Sequence, residues 1–168
     1  VYHSAAAVNW VYSYLALRNV NVRGTLELIR LACTFRPKAF HFVSTLGVCC
    51  STTGPQEVCE DDDVHSYLRG IHLGYAQSKC VGEALVRQAG ERGLPVNVFR
   101  PSLITGDRTS GISNSADLLS RLIKATIQME EAPALDWRLE CCPVDYVADA
   151  IVHLASCRQE NGVFHLVS

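Results

Sequence analysis

Two short apolar runs, Ala39-Phe40-His41-Phe42-Val43-Ser44 and Pro95-Val96-Asn97-Val98-Phe99-Arg100, stand on either side of a long stretch with helical spacing. This arrangement limits the fold more than any other feature. Apolar runs of this length are the kind buried on both faces in a parallel sheet. Parallel neighbours need a crossover between them. The stretch from Gly74 to about Gly90 supplies one, with Val81, Leu85 and Val86 among its apolar positions. The two runs are therefore expected to be adjacent strands.

The same alternation continues outward. Val1-Tyr2-His3 reads as the tail of a strand, and Tyr14 to Cys33 as helical, with Val22, Leu26, Ile29 and Cys33 recurring at helical spacing before Pro37. Thr105-Gly106-Asp107 reads as a turn, and Asp117 to Met129 as a helix. Pro143-Val144-Asp145 opens another, with Asp145 as the expected N-cap and Val147, Ile151 and Leu154 on one face. Gly162 to Val167 reads as a last strand. The expectation is an α/β chain, a Rossmann-like parallel sheet with helices on both faces. Its 168 residues are one domain's worth. Leu46 to His72 shows no clear period, and its acidic run Glu60-Asp61-Asp62-Asp63 reads as a solvated face.

Composition narrows the function classes. Fifteen basic residues against 17 acidic ones give a net charge of −2, so neither nucleic acid nor an anionic membrane is an expected partner. No run of 18 apolar residues occurs and no signal-peptide pattern opens the chain, so a cytoplasmic protein is expected. The eight Cys include two adjacent pairs and no Cys-x-x-Cys, and the six His include no i,i+4 pair. Reduced, packing cysteines and no metal site are expected.

In a parallel α/β sheet, ligands bind beyond the carboxyl ends of the strands. Ser4-Ala5-Ala6, Ser44-Thr45 and Pro101-Ser102 fall at those ends. The small side chains after His3 fit either a ligand approaching the backbone or a tightly packed turn. The helix that begins nearby carries Tyr75 and Lys79 four residues apart, hence on one face. An ammonium beside a phenol favours the phenolate and lowers the Tyr pKa, and such a Tyr exchanges a proton with a carbonyl oxygen as hydride is transferred. The alternative is a surface helix with an outward Tyr, which the spacing alone leaves open.

In order and spacing, His3-x-Ala5-Ala6, Asn21-Val22-x-Gly24-Thr25, Val43-Ser44-Thr45, Tyr75-x-x-x-Lys79-x-x-x-Glu83 and Arg100-Pro101 resemble the extended short-chain dehydrogenase/reductase family. Four further stretches are similar to a thioester reductase domain. They are Phe42 to Thr45, Arg100 to Gly106, Ser113 to Asp117 and Pro143 to Ala148. Such domains end nonribosomal peptide synthetases, polyketide synthases, aminoadipate reductases and carboxylic acid reductases. Fatty acyl-CoA reductases share part of the pattern, and nucleotide-sugar epimerases and dehydratases share the fold.

The resemblance implies NADPH-dependent reduction of a thioester on the phosphopantetheine arm of a carrier protein to an aldehyde, or further to an alcohol, with NAD(H) as the alternative cofactor. It implies Tyr75 as proton donor and Lys79 as its partner and a ligand of the nicotinamide ribose. Thr45 is the second donor to the substrate oxygen, with Ser44 as its competitor. Ser4, Ala5, Ala6, Pro101 and Ser102 line the cofactor. Asn21 either serves the cofactor or bends its helix, and Glu83 is a structural charge. The family's glycine-rich pyrophosphate turn has no counterpart before His3. Residues 1–168 are therefore expected to be a fragment lacking the N-terminal part of the cofactor site, with substrate-lobe elements around 107–145. The non-enzymatic alternative is a truncated scaffold for carrier docking.

Overall fold

A computed structural model describes residues 1–134, 139–157 and 161–167. Four parallel strands form the main sheet: β1 (Tyr2–His3), β2 (Phe40–Val43), β3 (Val96–Pro101) and, after two shorter strands, β6 (Gly162–Leu166), in the order β1-β2-β3-β6. The two apolar runs are neighbours, with Phe40 paired to Val96 and Val43 to Phe99. The crossover between them is α3 (Gly74–Glu91).

The strands alternate their side chains between two helical layers. Phe40, Phe42, Val96 and Val98 pack with Ile29, Ala32 and Val86 from α2 (Gly24–Cys33) and α3. On the other face Phe99 and Leu166 pack with Val147 of α5 (Val144–Ser156). Phe40, Phe42 and Phe99 are fully buried, a contribution of roughly 1.5–3 kcal/mol each. The stretch from Tyr14 to Cys33 is helical throughout, but not uniformly. Between α1 (Tyr14–Arg18) and α2, residues Asn19–Arg23 form a π-helical turn. α4 (Leu118–Met129) is capped by Asp117, whose carboxylate accepts from the Ser120 amide at 2.7 Å.

Three local expectations are corrected. The turn read at Thr105-Gly106-Asp107 begins only at Asp107, whose carbonyl accepts from the Gly111 amide at 2.9 Å, while Thr105 ends β4 (Leu103–Thr105), which pairs in parallel with β5 (Cys141–Pro143) as a separate two-stranded sheet. Asp145 is not the N-cap of α5. Pro143 holds that position, and the Asp145 carboxylate instead takes the Arg108 guanidinium at 2.7 Å. The stretch 46–72 contains two 3-10 helices, Leu46–Cys49 and Val64–Gly70, pinned to α3 through Val48, Val64, Ile71, Ala76 and Cys80. Its acidic run is partly engaged. Asp63 caps the second 3-10 helix, Asp62 accepts from the Cys59 amide at 2.6 Å, and Glu60 accepts from the His165 amide of β6 at 2.6 Å. Of the stretch 107–145, residues 135–138 lie outside the described residues.

Candidate active site

The parallel register brings the carboxyl ends of β1, β2 and β3 side by side: His3 pairs with Phe42, Val43 with Phe99, and Pro101 with Leu166. Two backbone bonds carry the alignment past the strands. The Ser44 amide donates to the Phe99 carbonyl at 2.6 Å, and the Ser102 amide to that of Leu166 at 3.0 Å. Ser4 to Ala6, Ser44-Thr45 and Pro101-Ser102 therefore emerge along one edge. Ser4 and Ala5 are exposed and Ala6 half-buried, while Pro101 and Ser102 are buried. The Ser102 hydroxyl is engaged with the Cys142 sulfur at 3.1 Å.

Thr45 turns the chain from β2 into the first 3-10 helix. Its backbone is extended, and its Oγ1 accepts from the Gly47 amide at 3.2 Å. Among the described residues no acceptor takes its hydroxyl proton, so Thr45 keeps a donor. Ser44 does not: its hydroxyl is buried and donates to Glu83 at 2.8 Å. Gly47 lies between Thr45 and the start of α3. A methyl group there would stand 3.5 Å from Thr45 Oγ1 and 3.6 Å from the Ala76 Cβ, next along the chain from Tyr75.

Tyr75 lies in the first turn of α3 and is half-buried. Among the described residues its hydroxyl has no hydrogen-bond partner. Burial raises its pKa above the ordinary value. This corrects the expectation that Lys79 would lower it. The i,i+4 spacing places both residues on one helix, but the Lys79 ammonium turns to the sheet. It donates to the Val43 carbonyl at 2.5 Å and stands 4.2 Å from the centre of the Phe42 ring. Lys79 is only 3% exposed, and burial brings its pKa down to about 8, with the Glu83 carboxylate opposing the fall. Tyr75 is thus a neutral O–H donor, and Lys79 a charge on the margin of neutrality at the end of β2.

Asn21 sits in the π-helical turn and is buried. Its Oδ1 accepts from the Ala7 amide at 2.8 Å, and its Nδ2 donates to the Ala7 carbonyl at 3.0 Å and to the Ser78 hydroxyl at 2.9 Å. Ser78 in turn donates to the Tyr75 carbonyl at 2.7 Å. With both N–H groups engaged by the protein, Asn21 clamps the segment after β1 to α3. His3 closes the same corner through Thr25 at 2.9 Å. Burial, and then the Lys79 charge, push its pKa down to about 4, so it is neutral.

The sequence reading did not foresee the charge cluster under this edge. Glu83 and Arg100 are fully buried and paired, Arg100 Nη2 to Glu83 Oε1 at 2.5 Å and Nε to Oε2 at 3.3 Å. Arg100 Nη1 also stands 3.0 Å from His165 Nε2. The one available signal was an Arg closing an apolar strand and a Glu one turn beyond a buried Lys.

A model of the family described as Male sterility protein matches residues 1–151. Over 170 residues the chain is 38% identical to a subunit of the linear gramicidin synthase of Brevibacillus parabrevis, covering 100% of this chain and 3% of that protein. It is 42% identical over 170 residues to glycine betaine reductase ATRR of Emericella nidulans, covering 99% of this chain and 13% of that one. Among solved structures, the terminal R domain of the myxalamid PKS-NRPS biosynthetic pathway superposes with a TM-score of 0.92 at 41% identity, over 99% of this chain and 43% of that domain. With the fold, the strand-end geometry and the family model in agreement, the chain belongs to the male sterility protein family of extended short-chain dehydrogenases/reductases.

Proposed function

We propose that this chain carries the chemical half of a site that reduces an acyl or peptidyl thioester, borne on the phosphopantetheine arm of a carrier protein, and releases it as an aldehyde. One observation carries the reading. At the carboxyl ends of three parallel strands, a Thr45 hydroxyl and a Tyr75 hydroxyl that no acceptor among the described residues takes lie on adjoining segments, with the Lys79 ammonium one helical turn behind Tyr75. The likeness to synthetase and reductase chains points to a thioester rather than a sugar as substrate.

The residues present fit a nicotinamide cofactor. The exposed Ser4-Ala5 backbone offers close approach, and the Lys79 ammonium, a triple donor, makes one hydrogen bond among the described residues. Lys79 would hold the nicotinamide ribose, with Ser4 to Ala6, Pro101 and Ser102 lining the site. When bound, NADPH supplies the hydride that reduces the thioester carbon. Thr45 and Tyr75 donate hydrogen bonds to the carbonyl oxygen as negative charge gathers on it, an effect worth roughly 3 kcal/mol per donor. Tyr75 gives that oxygen its proton. The resulting hemithioacetal collapses to the aldehyde and the free thiol of the arm.

The test uses the full-length protein with NADPH, offered either an acyl-pantetheine thioester or a nucleotide sugar. Oxidation of NADPH with aldehyde formed only from the thioester is the expected result. Turnover of the nucleotide sugar with the thioester untouched would move the chain to the epimerase and dehydratase branch. No reaction with either would favour the docking scaffold.

A further inference from the structure

The Glu83–Arg100 pair takes no part in the chemistry above. A fully buried ion pair is poor evidence of stabilisation, because removing two charges from water offsets most of their attraction. Its placement says more. The Glu83 carboxylate, on α3, accepts from the Ser44 hydroxyl just beyond β2 at 2.8 Å and from Arg100 on β3 at 2.5 and 3.3 Å. Through Arg100 it also reaches His165 on β6. One carboxylate therefore ties α3 to three strands. Lys79, one turn earlier on α3, holds the Val43 carbonyl. Val43-Ser44 is thus held to α3 at two points, by Lys79 through the backbone and by Glu83 through the side chain, immediately before Thr45.

We propose that Glu83 is a positioning residue: with Ser44 and Arg100 it locks the Val43–Thr45 strand end onto α3, so that the Thr45 hydroxyl and the Lys79 ammonium keep one fixed relation. Its kinetic consequence rests on the reductase reading; its geometric consequence does not. The groups around Lys79 make an electrostatic role follow. From its own helix comes Glu83, from β1 the neutral His3, and from β2 the Phe42 ring and the Val43 carbonyl. Arg100 of β3 is engaged with Glu83. Glu83 is the group that opposes the loss of charge from Lys79 on burial.

Two variants of the full-length protein separate the two roles. Glu83→Gln keeps the shape and removes the charge. In 15N-lysine-labelled protein the Nζ signal of Lys79 is identified by its loss in Lys79→Arg. The Lys79 midpoint is expected to fall from about 8 by roughly one pH unit or more. The alkaline limb of the rate profile should move with it. Ser44→Ala keeps the ion pair and cuts the tie to Thr45. Amide exchange at positions 44 and 48, whose N–H groups bond the Phe99 and Thr45 carbonyls, is expected to quicken ~10-fold. At the same time kcat should fall while KM stays within about 2-fold.

A merely structural Glu83 would lower the unfolding temperature and leave both readouts as in wild type. If Glu83→Gln does not fold, Glu83→Gln with Arg100→Met removes both charges together and should still lower the Lys79 midpoint. An unchanged Lys79 midpoint in a folded Glu83 variant, or unchanged exchange in Ser44→Ala, overturns the proposal. A wild-type protein that leaves the thioester untouched refutes the reductase reading, and the titration and exchange then still decide the clamp.

Discussion

Replacing Tyr75 by Phe separates the chemistry of this site from its architecture. Burial raises the Tyr75 pKa, so the side chain is a protonated donor at neutral pH. Among the described residues its hydroxyl has no partner, so Tyr75→Phe breaks no bond in the folded state. The expected stability change is within about 0.5 kcal/mol. On the proposed mechanism the same hydroxyl is one of two donors to the oxyanion that develops in the transition state, and losing one such donor costs roughly 3 kcal/mol. At 1.36 kcal/mol per factor of ten, that is about 10²-fold in kcat. Lys79 remains, so cofactor affinity should stay within a few-fold. The assay follows NADPH oxidation by the full-length protein with an acyl-pantetheine thioester, alongside thermal unfolding and a cofactor titration. Reduction at the wild-type rate would falsify the donor role. A stability loss well above 1 kcal/mol would show instead that the hydroxyl is a structural group.

Three further outcomes are expected. On the proposed mechanism the Lys79 ammonium is the working form; burial brings its pKa to about 8, so activity and cofactor affinity should fall as pH rises through about 8, a limb absent in Lys79→Arg. The sign for stability is opposite: from about 8 up to the ordinary value of 10.5 the unfolded chain binds a proton that the folded chain does not, so this group's contribution to folding improves with pH in that window. Asn21→Ala removes three hydrogen bonds joining Ala7 and Ser78, a loss of roughly 3 kcal/mol at about 1 kcal/mol each; a urea-unfolding difference near zero would remove its clamping role. Gly74→Ala should destabilise despite the ~1 kcal/mol that helix propensity favours, because the added Cβ would stand 2.6 Å from the Tyr14 nitrogen. A rise in unfolding temperature would contradict that.

The sheet was legible because its order is written in unbroken apolar runs. Phe40 to Val43 and Val96 to Phe99 could be little else, and their parallel pairing follows from the helix between them. Leu103–Thr105 and Cys141–Pro143 escaped notice because three residues carry no period and their pairing spans a distance no local pattern records. Asp145 resembled a cap by residue type, but Pro143 takes the cap position two residues earlier and the carboxylate answers Arg108 instead. The motif around Tyr75 and Lys79 was visible, while the direction of the Lys79 ammonium was not. Helical spacing fixes which face a side chain leaves from, and burial against Phe42 and Val43 decides where it ends. The union of Ser44, Glu83, Arg100 and His165 exists only once four elements are assembled.

The contact between Glu60 and the His165 amide bears on how the long stretch between β2 and α3 is held. Glu60 accepts from a backbone N–H of β6, about a hundred positions away in the chain, at 2.6 Å. A carboxylate bonded to a backbone amide is a charge-assisted hydrogen bond, stronger than one between neutral groups. An acidic stretch that resembles mere solvating surface thereby moors its loop to the sheet, and the order of that loop depends on a strand that the chain reaches only at its far end.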